Sequence, residues 1–340
     1  MQNTVHDVLI IGAGAAGLMC AIEAAKRGLD VLVLEKARKP GRKILISGGG
    51  RCNFTNLYVS PDAYLSANPH FCKSALSRYT PWDFIALLEE HGLSYTEKTL
   101  GQLFCDQKAS AIVDMLLGEC AEAGAKILCD CEISGLEKNR HFLLRTSLGD
   151  YAGKNLVVAS GGPSIPKMGS SDFSQRIARQ FDLKTIPFRP ALVPLVFPDS
   201  LRNTVFRDLS GLSLPAIVSC NGQSFRENIL ITHRGLSGPA ILQISSYWRK
   251  GDSLSVNLLP DLDAADYLNG QRAEHPDLQL STALGKILPK RFAQRLCEVY
   301  IPSRALKQYS QPELEKIACL LGDWQLQPSG SEGMRTAEVS

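Results

Sequence analysis

No stretch of the 340-residue chain reaches the roughly 18 consecutive apolar residues of a membrane-spanning helix, so no span and no membrane partner are expected. No CxxC or CxxxxC pair occurs. That removes a dithiol of the disulfide-reductase kind and a zinc site built on paired CxxC motifs. Ten cysteines are too few for a disulfide scaffold, and only Cys129 and Cys131 stand close together. A basic leader before the first apolar run is missing too, so buried or free thiols in a reducing cytoplasm are the expectation, with no metal. A net charge of +3 is too small to mark a nucleic-acid binder by electrostatics alone, and it does not exclude one. Internal repeats and low-complexity tracts are absent. What is present is 44% apolar and 21% charged residues, the balance of a globular chain with a real core, long enough for about two domains.

The first 36 residues read as strand, tight turn, helix, strand. Val8-Leu9-Ile10-Ile11 is a short apolar run ending at Gly12, as a buried parallel strand would be. Ala15 to Arg27 is helix-forming and stops at Gly28. Val31 to Leu34 is a second buried strand, closed by Glu35. This is the opening of a doubly wound α/β domain. Pro81 to Gly92 and Ala109 to Gly124 predict amphipathic helices, and 126–160 a small antiparallel meander ending in Asn155-Leu156-Val157-Val158-Ala159. Four prolines between Pro187 and Pro198 mark a change to β-like sequence that runs to about Leu259. From Asp261 to Leu321 the pattern is mostly helical. The expected domains are therefore 1–186, an inserted 187–330, and 331–340 returning toward the first.

Gly12-Ala13-Gly14-Ala15-Ala16-Gly17 is GxGxxG, placed between strand and helix. The first glycine permits the tight turn, the second lets a diphosphate approach the backbone, and the third packs helix against strand. The helix N-terminus offers free N–H groups and a positive dipole end. Glu35 closes the second strand, where a carboxylate can accept both hydroxyls of an adenosine ribose and would repel a 2′-phosphate. Strand, helix, second strand and terminal acid together predict a dinucleotide; they do not say FAD or NAD. No second GxGxxG follows, so a separate nicotinamide-dinucleotide domain is not expected.

The stretch Gly41-Arg42-Lys43-Ile44-Leu45-Ile46-Ser47-Gly48-Gly49-Gly50-Arg51-Cys52-Asn53 is the most specific in the chain. Three consecutive glycines cost backbone entropy. They read either as flat backbone passing close to a ring or phosphate, or as a flexible surface loop. Arg42, Lys43 and Arg51 add positive charge suited to a diphosphate.

Together with the fingerprint, this stretch resembles the BaiN-like NAD(P)/FAD-dependent oxidoreductases, in particular their ribosomal-RNA dihydrouridine synthase branch. Leu100-Gly101-Gln102-Leu103-Phe104-Cys105-Asp106 carries the resemblance further, as do Val158-Ala159-Ser160-Gly161-Gly162 and Thr232-His233-Arg234-Gly235-Leu236-Ser237-Gly238-Pro239-Ala240. So do Gln327-Pro328-Ser329-Gly330-Ser331-Glu332-Gly333 and Arg335-Thr336-Ala337-Glu338-Val339. The resemblance implies an α/β fold: a Rossmann-like, doubly wound FAD-binding domain of the glutathione reductase type, with an inserted mixed β-barrel-like and helical domain. It implies FAD with its ribose on Glu35, beside Lys36, and its diphosphate over Gly14–Gly17 near Arg42 and Lys43. The loop Ser47-Gly48-Gly49-Gly50-Arg51-Cys52-Asn53 would run along the ribityl chain and ring. Ile133 would touch the adenine, and Ala159, Ser160 and Gly161 would close over the cofactor. NAD(P)H would be a transient reductant. The family continues beyond Val339 with a strand, a GGYN-type motif and a final helix, so a truncated return to the first domain is the expectation.

The activity implied is reduction of an activated C=C bond, uridine to dihydrouridine in large-subunit (23S) ribosomal RNA. Rival readings are a small-molecule enone reductase, an aminoacetone-type amine oxidase, or a shortened non-catalytic remnant. Cys52 reads as a proton donor or as a small residue packed against the ring. His233, with Arg234, reads as a phosphate holder or proton donor, or as a helix-entry histidine before a helix near Ser237. Lys290, Arg291 and Arg295, with Phe292 between them, form either an RNA-facing basic surface or a solvated charged face, to which Arg249, Arg304 and Lys307 add.

Overall fold

The computed structural model describes residues 4–340. Residues 1–3, with which the expected first domain begins, lie outside the described residues. The chain divides into two compact units. The first comprises residues up to Gly162 together with Met168–Thr185; the second is Pro163–Lys167 with Ile186–Ser340.

The first unit is built on a six-stranded sheet. β1 (Val5–Ile11) lies between β2 (Val31–Leu34) and the strand Gly149–Val158, parallel to both, and Lys126–Leu128 pairs parallel with the far side of β2. Phe142–Thr146 and Ile133–Lys138 continue the sheet beyond Gly149–Val158 as an antiparallel meander. The sequence assigned 126–128 to that meander. Its residues instead form the opposite parallel edge, because the preceding helix Ala109–Glu122 returns the chain to the start of β2's direction.

Both faces of the parallel strands are covered, which is why they read as unbroken apolar runs rather than as alternation. Val8 and Ile10 pack with Leu18 and Ile22 of α1 (Ala15–Ala25) and with Ile112 and Leu116 of the helix Ala109–Glu122. Leu9 and Ile11 point to the other face, where Leu136, Leu144 and the ring of Phe173 lie. α1 stops as expected just before Gly28, whose φ of +79° ends the helical path. A three-stranded antiparallel sheet, in the order Asn53–Asn56, Gln102–Cys105, Tyr95–Glu97, completes the unit.

The second unit has one seven-stranded sheet, antiparallel throughout. Its order is Trp324–Leu326, Leu254–Asn257, Ser213–Cys220, Gln223–Thr232, Gly235–Ser237, Leu195–Val196, Gly330–Ser331. The helices Ala264–Glu274, Lys290–Val299 and Gln311–Gly322 cover it, as the helical pattern after Asp261 predicts. Ser213–Cys220 alternates exposed and buried residues, the mark of a strand with one wet face. Residues 331–340, assigned from sequence to the return toward the first domain, belong here to the second unit. Gly330 and Ser331 bond to Val196 and Leu195, and Val339 bridges to Ala191. Among the described residues no helix is long and apolar enough to cross a membrane.

Candidate functional site: a nucleotide groove in the first unit

β1 delivers the chain to Gly12 at the C-terminal ends of the parallel strands, and the chain turns there into α1. Gly12 has φ +100°, and a Cβ on it would lie 2.7 Å from the Ala159 carbonyl oxygen. A Cβ on Gly17 would lie 1.9 Å from the Gly12 carbonyl oxygen. The protein's own packing demands these two glycines. Gly14 differs: a Cβ there would meet nothing within 4 Å. Gly14 is also the N-cap of α1, without a capping side chain, and Ala15 and Ala16 behind it are exposed. The first-turn N–H groups and the positive dipole end are thus left for an anion.

Glu35 stands at the end of β2 as the sequence predicts, held by two backbone donors. Its Oε2 accepts from the Ala13 N–H at 2.7 Å and its Oε1 from the Ala37 N–H at 2.7 Å. Each carboxylate oxygen keeps further acceptor capacity for a hydroxyl donor. The turn thereby fixes the acid in place, a link that strand periodicity alone does not reveal.

The groove has two stretches that share Gly12, Glu35, Ser160 and Gly169. One is lined by Leu34, Cys131, Ile133, Phe173 and Arg176, with Lys36 and Glu132 at its edge. The other is lined by Gly14, Lys39, Arg42, Lys43, Ala159 and Gly161. Lys36 forms an exposed ion pair with Glu132 at 2.9 Å. Burial pushes the Lys43 ammonium below its usual range. The Ser160 hydroxyl oxygen is buried without a hydrogen-bond partner, so a polar group entering the groove would satisfy it. Open space at Gly14, a bare helix end, a fixed carboxylate and several cations fit a dinucleotide. Sequence reading missed Cys131, Gly169, Phe173 and Arg176. The only signal for the last three was the turn composition of Gly169-Ser170-Ser171-Asp172.

The three-glycine stretch is a defined turn, not a slack loop. α2 (Arg42–Ile46) runs into a short 3-10 turn at Ser47–Gly50, with Gly48 and Gly49 at φ +55° and +66°. Ser47 Oγ donates to the Ile44 carbonyl at 2.8 Å. A Cβ on Gly48 would lie 2.7 Å from the Phe104 ring, whereas one on Gly49 would meet open space. Arg51 and Asn53 are exposed on either side of Cys52. Cys52 itself is 5% exposed and belongs to the core beneath the sheet. Burial pushes its thiol up, so it stays protonated and packs as an apolar group.

The second-unit candidates are placed differently from expectation. His233 is exposed in the tight turn between Gln223–Thr232 and Gly235–Ser237. The expected helix near Ser237 begins at Pro239, because Gly235–Ser237 is a strand. Arg234 lies 4.0 Å from Glu332 Oε1. Phe292 is fully buried against Trp324 and offers no stacking face. Arg291 donates to the Asp208 carbonyl, and Arg295 pairs with Glu298 at 2.6 Å and with Asp208 at 3.6 Å. Lys290 is exposed. Arg304 pairs with Glu313, and Lys307 with Asp277. The expected basic face is therefore largely neutralised by neighbouring acceptors.

All ten cysteines are free, and among the described residues no group of histidine, cysteine and carboxylate side chains could hold a metal. The fold and groove together define a Rossmann-type nucleotide-binding protein. The HI0933-like protein Rossmann domain model matches residues 6–339, and the chain belongs to that family. It is 49% identical over 337 residues to the ribosomal RNA dihydrouridine synthase of Escherichia coli strain K12, covering 98% of this chain and 84% of that one. It is 45% identical over 339 residues to the protein of the same name from Haemophilus influenzae, again covering 98% of this chain and 84% of that one. A 3-dehydro-bile acid delta(4,6)-reductase of Clostridium scindens is 28% identical over 309 residues, 85% of this chain and 74% of that one.

Proposed function

We propose that the chain is an FAD-dependent oxidoreductase that takes hydride from NAD(P)H and reduces uridine to dihydrouridine in large-subunit ribosomal RNA. The observation that carries the cofactor is the groove at Gly14, where protein atoms leave room on the side of the glycine that a diphosphate would need. What supports a ribosomal RNA substrate is 49% identity, across nearly the whole chain, to a ribosomal RNA dihydrouridine synthase.

In this reading Glu35 holds the adenosine ribose, and the side of the groove at Ile133 and Cys131 receives the adenine. The first turn of α1, Arg42 and Lys43 hold the diphosphate. Ser160 and Gly161 close one wall, and the Gly48-Gly49-Gly50 turn brings backbone without side chains along the ring. A bound flavin supplies hydride transfer between a nicotinamide and an activated C=C bond. The chain's own residues orient the two partners and exclude water. Residues 1–186 would form the cofactor domain and 187–330 the substrate domain. The reaction balances as uridine plus NAD(P)H plus a proton giving dihydrouridine plus NAD(P)+.

The test is direct. The purified chain is reconstituted with FAD, and its visible spectrum is followed anaerobically on adding NADPH or NADH. It is then incubated with ribosomal RNA lacking dihydrouridine, and nucleosides are weighed by mass spectrometry. Retained flavin bands, bleaching by one nicotinamide and a uridine two mass units heavier are expected. Bleaching without any dihydrouridine, together with turnover of a bile-acid enone, would replace the RNA reading by the small-molecule one.

A further inference from the structure

Exposed aromatic rings are concentrated in one short part of the first unit. Tyr58, Tyr64, Phe71, Tyr79 and Trp82 are 72%, 42%, 56%, 41% and 62% exposed. Tyr300 is the one other exposed aromatic among the described residues. Five of six thus fall within 25 residues. None of the five packs against another ring or a cation among the described residues. Phe54 shows the contrast: it turns inward, 5.6 Å from the Phe84 ring and 5.9 Å from Tyr95, and anchors the segment. Burial of such rings is the ordinary outcome, so a cluster left in water marks an interaction surface.

The charge of the same segment has one sign in excess. Arg51, Lys73 and Arg78 are exposed and enter no ion pair among the described residues. Its acid Asp62 is turned to its own turn through Ser60, and Asp83 is consumed in the cap of the helix Pro81–Glu90. The segment is held in shape without covering its rings. The Tyr58 ring lies against Gly101, where a Cβ would come within 2.7 Å, and the Cys72 thiol reaches the Pro61 carbonyl. It follows directly on the strand Asn53–Asn56, which itself follows the three-glycine turn.

Unpaired cations interleaved with exposed rings are the chemistry of a single-stranded nucleic-acid surface. Cations meet phosphates, and bases stack on rings without demanding a sequence. We propose that the segment 58–82, with Arg51, is the surface on which the first unit receives an unpaired stretch of RNA, Phe71 and Trp82 stacking bases and Lys73 and Arg78 meeting phosphates. This rests on the reading that RNA is the substrate, and it places RNA engagement on the cofactor unit rather than on the helix Lys290–Val299.

The experiment uses the full chain reconstituted with FAD. A fluorescent single-stranded oligoribonucleotide reports binding by anisotropy across a salt series. The variants are Phe71→Ala/Trp82→Ala, Lys73→Gln/Arg78→Gln, and the ring-conserving Phe71→Tyr/Trp82→Phe. The alanine pair is expected to weaken binding about tenfold or more, and the ring-conserving pair to restore most of it. The glutamine pair is expected to flatten the salt dependence by about 0.7 in log–log slope per lost phosphate contact. Flavin content and NADPH reduction of an artificial dye should stay as in the parent. Unchanged RNA affinity and salt slope in both pairs, with dihydrouridine still formed, would overturn the surface and leave the proposed function standing. A parent chain that neither binds the oligonucleotide nor makes dihydrouridine would overturn both. Loss of self-association in the alanine pair without change in RNA affinity would assign the rings to a second copy of the chain instead. Should the alanine pair fail to fold, the exposed glutamine pair carries the test alone.

Discussion

In the first unit the ends of a parallel sheet converge on a groove where a helix N-terminus is uncapped and Arg42 has no acidic partner among the described residues, while in the second an antiparallel sheet is roofed by helices whose arginines Arg272, Arg291 and Arg295 are tied to acceptors. The difference follows from topology. Parallel strands need crossover helices, so strand C-termini and helix N-termini gather at one edge, with backbone donors to spare. Antiparallel strands return through tight turns such as 221–222 and 233–234, and the sheet's buried face is filled by side chains instead. Unspent backbone donors therefore collect in the first unit. Several of the second unit's basic residues spend their charge on acids: Arg234 on Glu332, Arg295 on Asp208 and Glu298, Arg304 on Glu313 and Lys307 on Asp277.

This contrast can be broken at several points. The largest effect is expected in the second unit's core, where Phe292→Ala removes a fully buried ring packed on Trp324 and should cost about 4 kcal/mol by denaturant unfolding. A small effect would show that Phe292 faces solvent after all and could serve as a stacking platform. Next comes Gly17→Ala, whose new methyl would overlap the Gly12 carbonyl oxygen and force the turn apart, at about 3 kcal/mol or more.

Third is Glu119→Gln, inside the first unit and away from the groove. The Glu119 carboxylate, 9% exposed, accepts from Lys26 at 2.5 Å and pairs with His91 at 2.8 Å. Hydrogen bonds from Lys26, then from His91, hold it below the usual carboxylate range. A depressed folded pKa contributes stability that is present above the unfolded value of about 4.3 and is lost as pH falls through the folded one. The variant should cost about 2 kcal/mol at pH 7, and the gap to the parent should close below pH 4 in a melting series. A gap independent of pH would mean that the packing, not the charge, mattered.

The smallest effect on stability and the sharpest on binding belong to Gly14→Ala. Its methyl meets no protein atom, so melting should move by less than about 0.5 kcal/mol, yet FAD affinity should fall about tenfold. Equal affinity would show that the diphosphate lies elsewhere.

Much of the first unit was legible from residues. The apolar runs at Val8 and Val31, the stop at Gly28 and the acid after Leu34 each state a local requirement of backbone or burial, and the structure meets them. The helices at Pro81 and Ala109 were equally plain, since a Thr80–Asp83 capping box and a helical run of buried residues are local signals. Lys126–Leu128 and Gly330–Ser331 were not, because two or three residues carry no period and take their partner from the surrounding sheet. The site divided in the same way. Gly12, Gly14, Gly17 and Glu35 announce themselves by spacing, whereas Phe173 and Arg176 join the groove only by a chain return far along the sequence from Glu35, and the turn composition before them does not say where that return leads.

By itself the sequence determined the strand–turn–helix with its dinucleotide-type fingerprint, since glycine spacing and short apolar runs are properties of neighbouring residues. The tertiary structure alone decided which cations stay free and which rings stay in water. Arg291 and Arg295 look as available in the sequence as Lys73 and Arg78, but a cation's availability depends on what the fold brings opposite it: the Asp208 carbonyl for Arg291, the Asp208 and Glu298 carboxylates for Arg295, and among the described residues no acid for Lys73 and Arg78.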